Sequence, residues 1–297
     1  MDEGKQWSSH GRGVSRAHDL KSTDEPRSGP GQAACPVPHH TFATIGMIQS
    51  GIGPVDTRTG FAPGRVHLLT GGIATGKTTA CLQFLAAGLE ADATAALLTL
   101  DHPAELAAHA RFLGIDLASH VRAGRLRIVR FRPDFAWRLA NAAPAASVAD
   151  ALGRELRGSL APARVVVDPA SPFLADGSAV GAGLIALVRV LDGLGCTSLL
   201  TYPGPITGED RRLDAIVDAA ALVAEVQREA EGEFCMRILR ARLADAPVAP
   251  FRFTIEREIG IVESRSADGE RRIGGAAAGA APTGVAGVPA GRKRSSA

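Results

Sequence analysis

LLTGGIATGKTTACLQFL, residues 68–85, runs from an apolar segment through a pair of glycines to a third glycine, a lysine and a helical pattern. Gly71-Gly72-Ile73-Ala74-Thr75-Gly76-Lys77-Thr78 fits G-x-x-x-x-G-K-[ST], a pattern that needs a strand before it and a helix after it. Glycines let the main chain wrap closely around a polyphosphate, so that amide N–H groups point inward. The helix that follows, with Thr79 in its first turn, adds the positive end of its dipole. The chain has 29 arginines and four lysines; Lys5, Lys21 and Lys293 lie near its ends, and between residues 22 and 292 Lys77 is alone. A compact ammonium bridges β- and γ-phosphate oxygens in a tight loop, which a planar guanidinium fork does not reproduce. Thr78 then offers its hydroxyl to Mg²⁺. The competing reading is a glycine-rich turn with an incidental lysine.

Outward from this loop, short buried strands alternate with helices. RVHLLT (65–70), TAALLTL (94–100), RLRIVRF (125–131), RVVVDP (164–169) and TSLLTY (197–202) read as strands. Helical spacing appears at 77–92, 103–114, 133–142, 147–160 and 181–195, the last placing Leu184, Ile185, Val188 and Leu191 on one face. Strands buried on both faces and separated by helices of this length call for an α/β fold, a mainly parallel central sheet with right-handed crossovers and flanking helices. After residue 218 the strands AALVAEV, EFCMRILRAR, FRFTI and IGIVE follow closely, the spacing of an antiparallel C-terminal extension. Asp168 ends a buried strand, so its carboxylate emerges at the carboxyl edge of the sheet, where ligands of open α/β sheets bind. There it would orient water on Mg²⁺; the alternative is an aspartate capping the next turn.

Composition sets the outer bounds. The 297 residues are 45% apolar and 22% charged, ordinary for a globular chain with a sizeable core. A net charge of +2 does not mark a nucleic-acid binder, and only the closing GRKRSSA is locally basic. Residues 1–43, rich in Ser, Gly, Pro and charge, read as a disordered segment; 44–263 reads as one folded domain, and 264–297 as an Ala/Gly-rich disordered tail. His39 and His40 fall in the first segment, where a histidine pair is usually incidental. Cys35, Cys81, Cys196 and Cys235 form no CxxC pair and read as reduced, buried thiols of a cytoplasmic protein. No secretory leader is visible, and Arg189 and Asp192 interrupt the longest apolar helix, so no membrane role is expected.

Four segments together resemble a KaiC-like, single-domain member of the RecA superfamily of P-loop ATPases. IQSGIGPVDTRTGFAPGRVHLLTGGIATGKTTACLQFL resembles the family's opening, LLTLDH the end of its second strand, RVVVDPAS its magnesium strand, and MRILRARLADAPVAPFRFTIEREIGIVE its closing hairpin. The resemblance covers roughly residues 44–263. It implies Mg²⁺-dependent ATP hydrolysis in a homo-oligomer, a ring or filament with nucleotide between subunits. It implies that Arg240 and Arg242, two apart and so on one face of a strand, reach the neighbour's γ-phosphate. The other reading of that pair is a solvent-facing device against edge-to-edge aggregation. Thr201 matches the position of a polar γ-phosphate sensor, or else simply begins a turn.

Two departures bear on rate. Where the family commonly has two glutamates at the end of the second strand, this chain has Asp101 and His102. Asp101, assigned here to orient the attacking water, is one methylene shorter, and misplacement of about 1 Å can cost around a hundredfold. His102 either accepts a proton near neutral pH or is a surface residue at a helix start. Ala74 stands where the family often has glycine. Three functions compete: an ATPase; an ATP-gated switch that recruits an unknown protein partner and hardly turns over; and a DNA motor. The segment PGPITGEDRRLD (203–214), which would face DNA, carries Arg211 and Arg212 against Glu209, Asp210 and Asp214 and has no aromatic for base stacking, which disfavours the motor.

Overall fold

The computed structural model describes residues 46–132, 152–154, 156, 161–174, 182–206, 211–229, 232–244 and 247–264. The helical pattern at 133–142, most of that at 147–160, residues 1–43 and the tail beyond 264 lie outside them. Among the described residues nine strands form one sheet: β1 (Val66–Gly71), β2 (Ala95–Thr99), β3 (Leu126–Arg130), β4 (Arg164–Asp168), β5 (Thr197–Pro203), β6 (Leu222–Arg228), β7 (Phe234–Ala241), β8 (Phe251–Glu256) and β9 (Gly260–Glu263), in the order β3-β2-β4-β5-β1-β6-β7-β8-β9. The helices among those residues are α1 (Gly53–Asp56), α2 (Lys77–Glu90), α3 (Pro103–Phe112), α4 (Leu117–Arg122), α5 (Ala182–Leu194) and α6 (Arg211–Ala219), with a 3-10 turn at Ser171–Leu174.

The fold is the expected mainly parallel α/β sheet with an antiparallel C-terminal extension. That extension starts one strand later than the spacing implied, because β6 lies parallel to β1, and only β7, β8 and β9 pair antiparallel. The reason is α6, whose first residues, 211–214, fall in the segment PGPITGEDRRLD, to which the sequence reading gives no helix. This helix returns the chain across one face before β6 begins, so β6 enters as one more right-handed crossover strand.

Side chains of successive strand residues point to opposite faces, and each face builds its own core. Leu69, Leu97, Val166 and Leu199 pack with Leu82, Phe84, Leu85 and Leu89 of α2 and with Phe234, Phe251 and Phe253 of the antiparallel strands. Leu68, Leu98, Val165, Val167 and Leu200 pack on the other face with Leu184, Leu187, Val188 and Leu191 of α5 and Leu213 and Ile216 of α6. Leu187 takes the buried place on α5 that the spacing gave to Ile185, which is half-buried.

Two buried polar residues tie elements of this core together. Arg164, at the start of β4, donates to Phe84 O at 2.7 Å and to Gln49 O at 2.9 Å, and its guanidinium lies 4.8 Å from the Phe84 ring centroid. His67 on β1 stacks on Phe61 at 4.1 Å, accepts from the Ala62 N–H at Nε2 over 3.0 Å and donates from Nδ1 to Ser198 O over 3.1 Å. Burial lowers its pKa to about 4, against hydrogen bonds that raise it, so it is held neutral.

Candidate nucleotide site

The loop between β1 and α2 is shaped by backbone angles that only some residues accept. Gly71 has φ 147° and Gly76 φ 90°. A Cβ on Gly71 would stand 2.2 Å from Val226 O of the neighbouring strand β6. Ala74 adopts φ 55°, a left-handed conformation for which alanine is a poor choice, and Arg228 Nη2 donates to its carbonyl at 2.9 Å. Ile73 at the tip is 92% exposed, whereas Thr75 is buried and its hydroxyl donates to Gly72 O at 3.0 Å.

Lys77 is the first residue of α2, and its ammonium turns back over the loop. Nζ donates to Gly71 O at 2.9 Å, to Gly72 O, and to Thr75 Oγ1 at 3.4 Å. Burial lowers its pKa, while the nearby Asp168 carboxylate acts in the opposite direction. All three acceptors are neutral oxygens, so the charge itself is unpaired within this arc. An anion entering the loop would replace them with charge-assisted bonds.

Three elements meet at Asp168. Thr78 Oγ1 of α2 donates to Asp168 Oδ2 at 2.7 Å, and Thr201 Oγ1 of β5 donates to Asp168 Oδ1. Asp168 is 7% exposed and Thr201 is fully buried, so the carboxylate is fixed by both of its oxygens. The sequence reading brought Thr78 and Asp168 together, and Thr201 joins them directly. No group of three or more His, Cys, Asp or Glu stands close enough to cage a metal among the described residues. One hydroxyl and one carboxylate suit Mg²⁺, a hard cation that keeps several waters and completes its shell with substrate phosphates.

An open cleft of about 300 Å³ lies over these groups, lined by Ala74, Thr75, Gly76, Lys77, Thr78, Thr79, Asp101, His109 and Ile255. Asp101 thus faces the phosphate loop, with its backbone N–H held by Thr99 Oγ1 at 3.0 Å. Burial first, then the Asp168 and Glu105 carboxylates, raise its pKa, so it holds a proton more readily than an ordinary aspartate. His102 is outside the lining set; its Nδ1 accepts from the Ala104 N–H at 3.2 Å and caps α3. The sequence reading missed His109, whose Nε2 lies 3.0 Å from Thr79 Oγ1 and whose pKa is lowered by burial. Its spacing with Leu106 and Ala110 on α3 was the available signal, a histidine on the buried face of an amphipathic helix.

Arg240 and Arg242 stand apart from the cleft lining, and both guanidinium groups are engaged with their own chain at the end of α6. Cys81 and Cys196 are buried free thiols and Cys235 is half-buried. No helix among the described residues is long and apolar enough to cross a membrane.

A family model described as "ATPase: KaiC" matches residues 48–266. Among solved structures, a KaiC-like protein from the hyperthermophilic archaeon Pyrococcus horikoshii OT3 is similar in fold, with a TM-score of 0.61 and 22% identity over 74% of this chain and 100% of that one. No curated protein matches.

Proposed function

The chain belongs to the KaiC family of P-loop ATPases, and from that premise we propose that it binds Mg²⁺-ATP in the loop at residues 71–79 and hydrolyses it slowly as a homo-oligomer. The observation that carries this reading is the convergence of Thr78 and Thr201 on the two oxygens of Asp168, beside an ammonium held only by neutral acceptors. Gly71 to Thr79 would wrap the phosphates with main-chain amides, and Lys77 would exchange the Gly71 and Gly72 carbonyls for β- and γ-phosphate oxygens. Thr78 and Asp168 would hold Mg²⁺, which when bound offsets the charge on those oxygens. Asp101 would orient a water whose oxygen attacks the γ-phosphorus as the bond to the β-phosphate oxygen breaks, and would accept the water's proton. Thr201 would report γ-phosphate through its bond to Asp168. Arg240 and Arg242 would act on the nucleotide of a neighbouring subunit in a ring or filament. The unpaired buried thiols of Cys81 and Cys196 support a reducing, cytoplasmic setting.

An ATP-gated switch with little turnover is the second reading. It is favoured by the short Asp101 side chain and by the arginine pair's engagement with its own chain. Steady-state phosphate release by purified protein separates the two, with Lys77→Ala as control. Release on the order of once per minute or faster, lost in the control, supports the ATPase. Binding with ATP-dependent assembly but no release supports the switch, and absence of nucleotide binding by calorimetry refutes both.

A further inference from the structure

Arg240, near the end of β7, and Arg242, just past that end, both close on one end of α6. Arg240 Nη1 donates to Val217 O at 2.9 Å and to Asp218 Oδ1 at 3.1 Å. Arg242 Nε donates to Ala220 O at 3.2 Å, and its Nη2 to Asp218 O. Three of these four acceptors are main-chain oxygens at the C-terminus of α6, where a helix leaves carbonyls unpaired and its dipole favours a cation. The register shift between Val223 and Ala224 of β6, opposite Ile238 and Arg240, lets β7 bend at the point from which both side chains reach the helix.

The contact is built to open. Asp218 is 77% exposed and Arg240 33%, and an ion pair in that setting is weak and screened by salt. The carbonyls are neutral acceptors, so a polyphosphate offered to the same donors is the stronger partner. The other end of α6 follows β5, the strand that carries Thr201 and so the bond to Asp168. One helix therefore connects the strand at the phosphate loop to the clamp on the arginine pair.

We infer that the end of α6 is a latch: in the unassembled chain it holds Arg240 and Arg242 away from any neighbour, and nucleotide-dependent assembly draws them off onto the neighbour's phosphates. This rests on the homo-oligomeric ATPase reading above. It adds an autoinhibitory contact centred on Asp218, a residue with no place in the phosphate loop.

The test follows specific phosphate release against protein concentration for wild type, Asp218→Ala and Asp218→Glu, after circular dichroism melts establish that each variant is folded. Removing the Asp218 carboxylate weakens the latch, so the protein concentration for half-maximal specific activity falls about 2- to 5-fold, the worth of one exposed ion pair. Asp218→Glu stays at the wild-type midpoint. An unchanged midpoint in Asp218→Ala, or a raised one, overturns the latch. A second readout needs no turnover: the Nε–H resonance of Arg242, assigned by its loss in Arg242→Lys, shifts when a non-hydrolysable ATP analogue is added to wild type and stays in place in Lys77→Ala. If calorimetry records analogue binding and the resonance does not move, the latch is wrong and the nucleotide site stands. If calorimetry records no binding, the ATPase reading fails first and the latch falls with it.

Discussion

Two adjacent glycines of the phosphate loop respond very differently to the same substitution. A methyl on Gly71 would lie 2.2 Å from Val226 O and 3.0 Å from Thr75 Oγ1, at φ 147°. Val226 belongs to β6, which is locked parallel to β1, so the blocking atom is main chain and the strands must part by about 1 Å to restore an ordinary contact. Overpacking of this kind costs about 1–3 kcal/mol and the unfavourable φ about 1–2 kcal/mol more, roughly 2–5 kcal/mol together. For a folded unit of this size each kcal/mol lowers the melting temperature by about 2–4 °C, so Gly71→Ala melts about 4–20 °C below wild type. On Gly72 the added methyl meets only Thr75 Cγ2 at 3.8 Å, and that backbone is not left-handed, so Gly72→Ala stays within about 2 °C. Circular dichroism melts of the two variants without nucleotide decide the matter. A Gly71→Ala protein that melts beside wild type, or a Gly72→Ala protein that falls equally far, refutes the reasoning from strand contact.

Lys77→Ala loses the thermal upshift given by ATP and lowers phosphate release about a hundredfold or more, and Lys77→Arg does not restore it; recovery by arginine would show that charge alone suffices. Asp168→Asn raises the Mg²⁺ concentration for half-maximal nucleotide binding about 10- to 100-fold; an unchanged requirement would remove Asp168 from the metal site. His67, with its folded pKa lowered to about 4 from 6.5, takes up a proton more easily unfolded than folded. Stability is therefore full above pH 6.5 and falls by about 3 kcal/mol as pH drops from 6.5 to 4, and an NMR titration of the ring placing its midpoint near 6.5 would contradict this.

The parallel core was legible because its central strands are buried on both faces and so read as apolar runs, as in AALLT of β2 and RVVVD of β4. The phosphate loop was legible because its chemistry is local: glycines, a lysine and a threonine within eight residues. The position of β6 was not, since α6 is short and begins in a run of charges, Glu209 to Arg212, that resembles a loop. Arg164 read as the edge of a strand, yet it is 7% exposed, and the groove that receives it exists only where Gly88 of α2 comes opposite. The same limit applies to His109 and to the docking of Arg240 and Arg242. Each depends on a partner far along the chain, and neither residue's neighbours in sequence record that partner.

Lys77 is the one primary amine on a side chain between residues 22 and 292. Acylating reagents, which spare guanidinium groups, therefore have a single side-chain target in the folded unit, with Lys5, Lys21 and Lys293 as internal controls. One acetyl group at Nζ would erase the cation that now rests on Gly71 O and Gly72 O. The stretch between residues 22 and 292 thus concentrates its side-chain amine chemistry at the point where phosphate would bind.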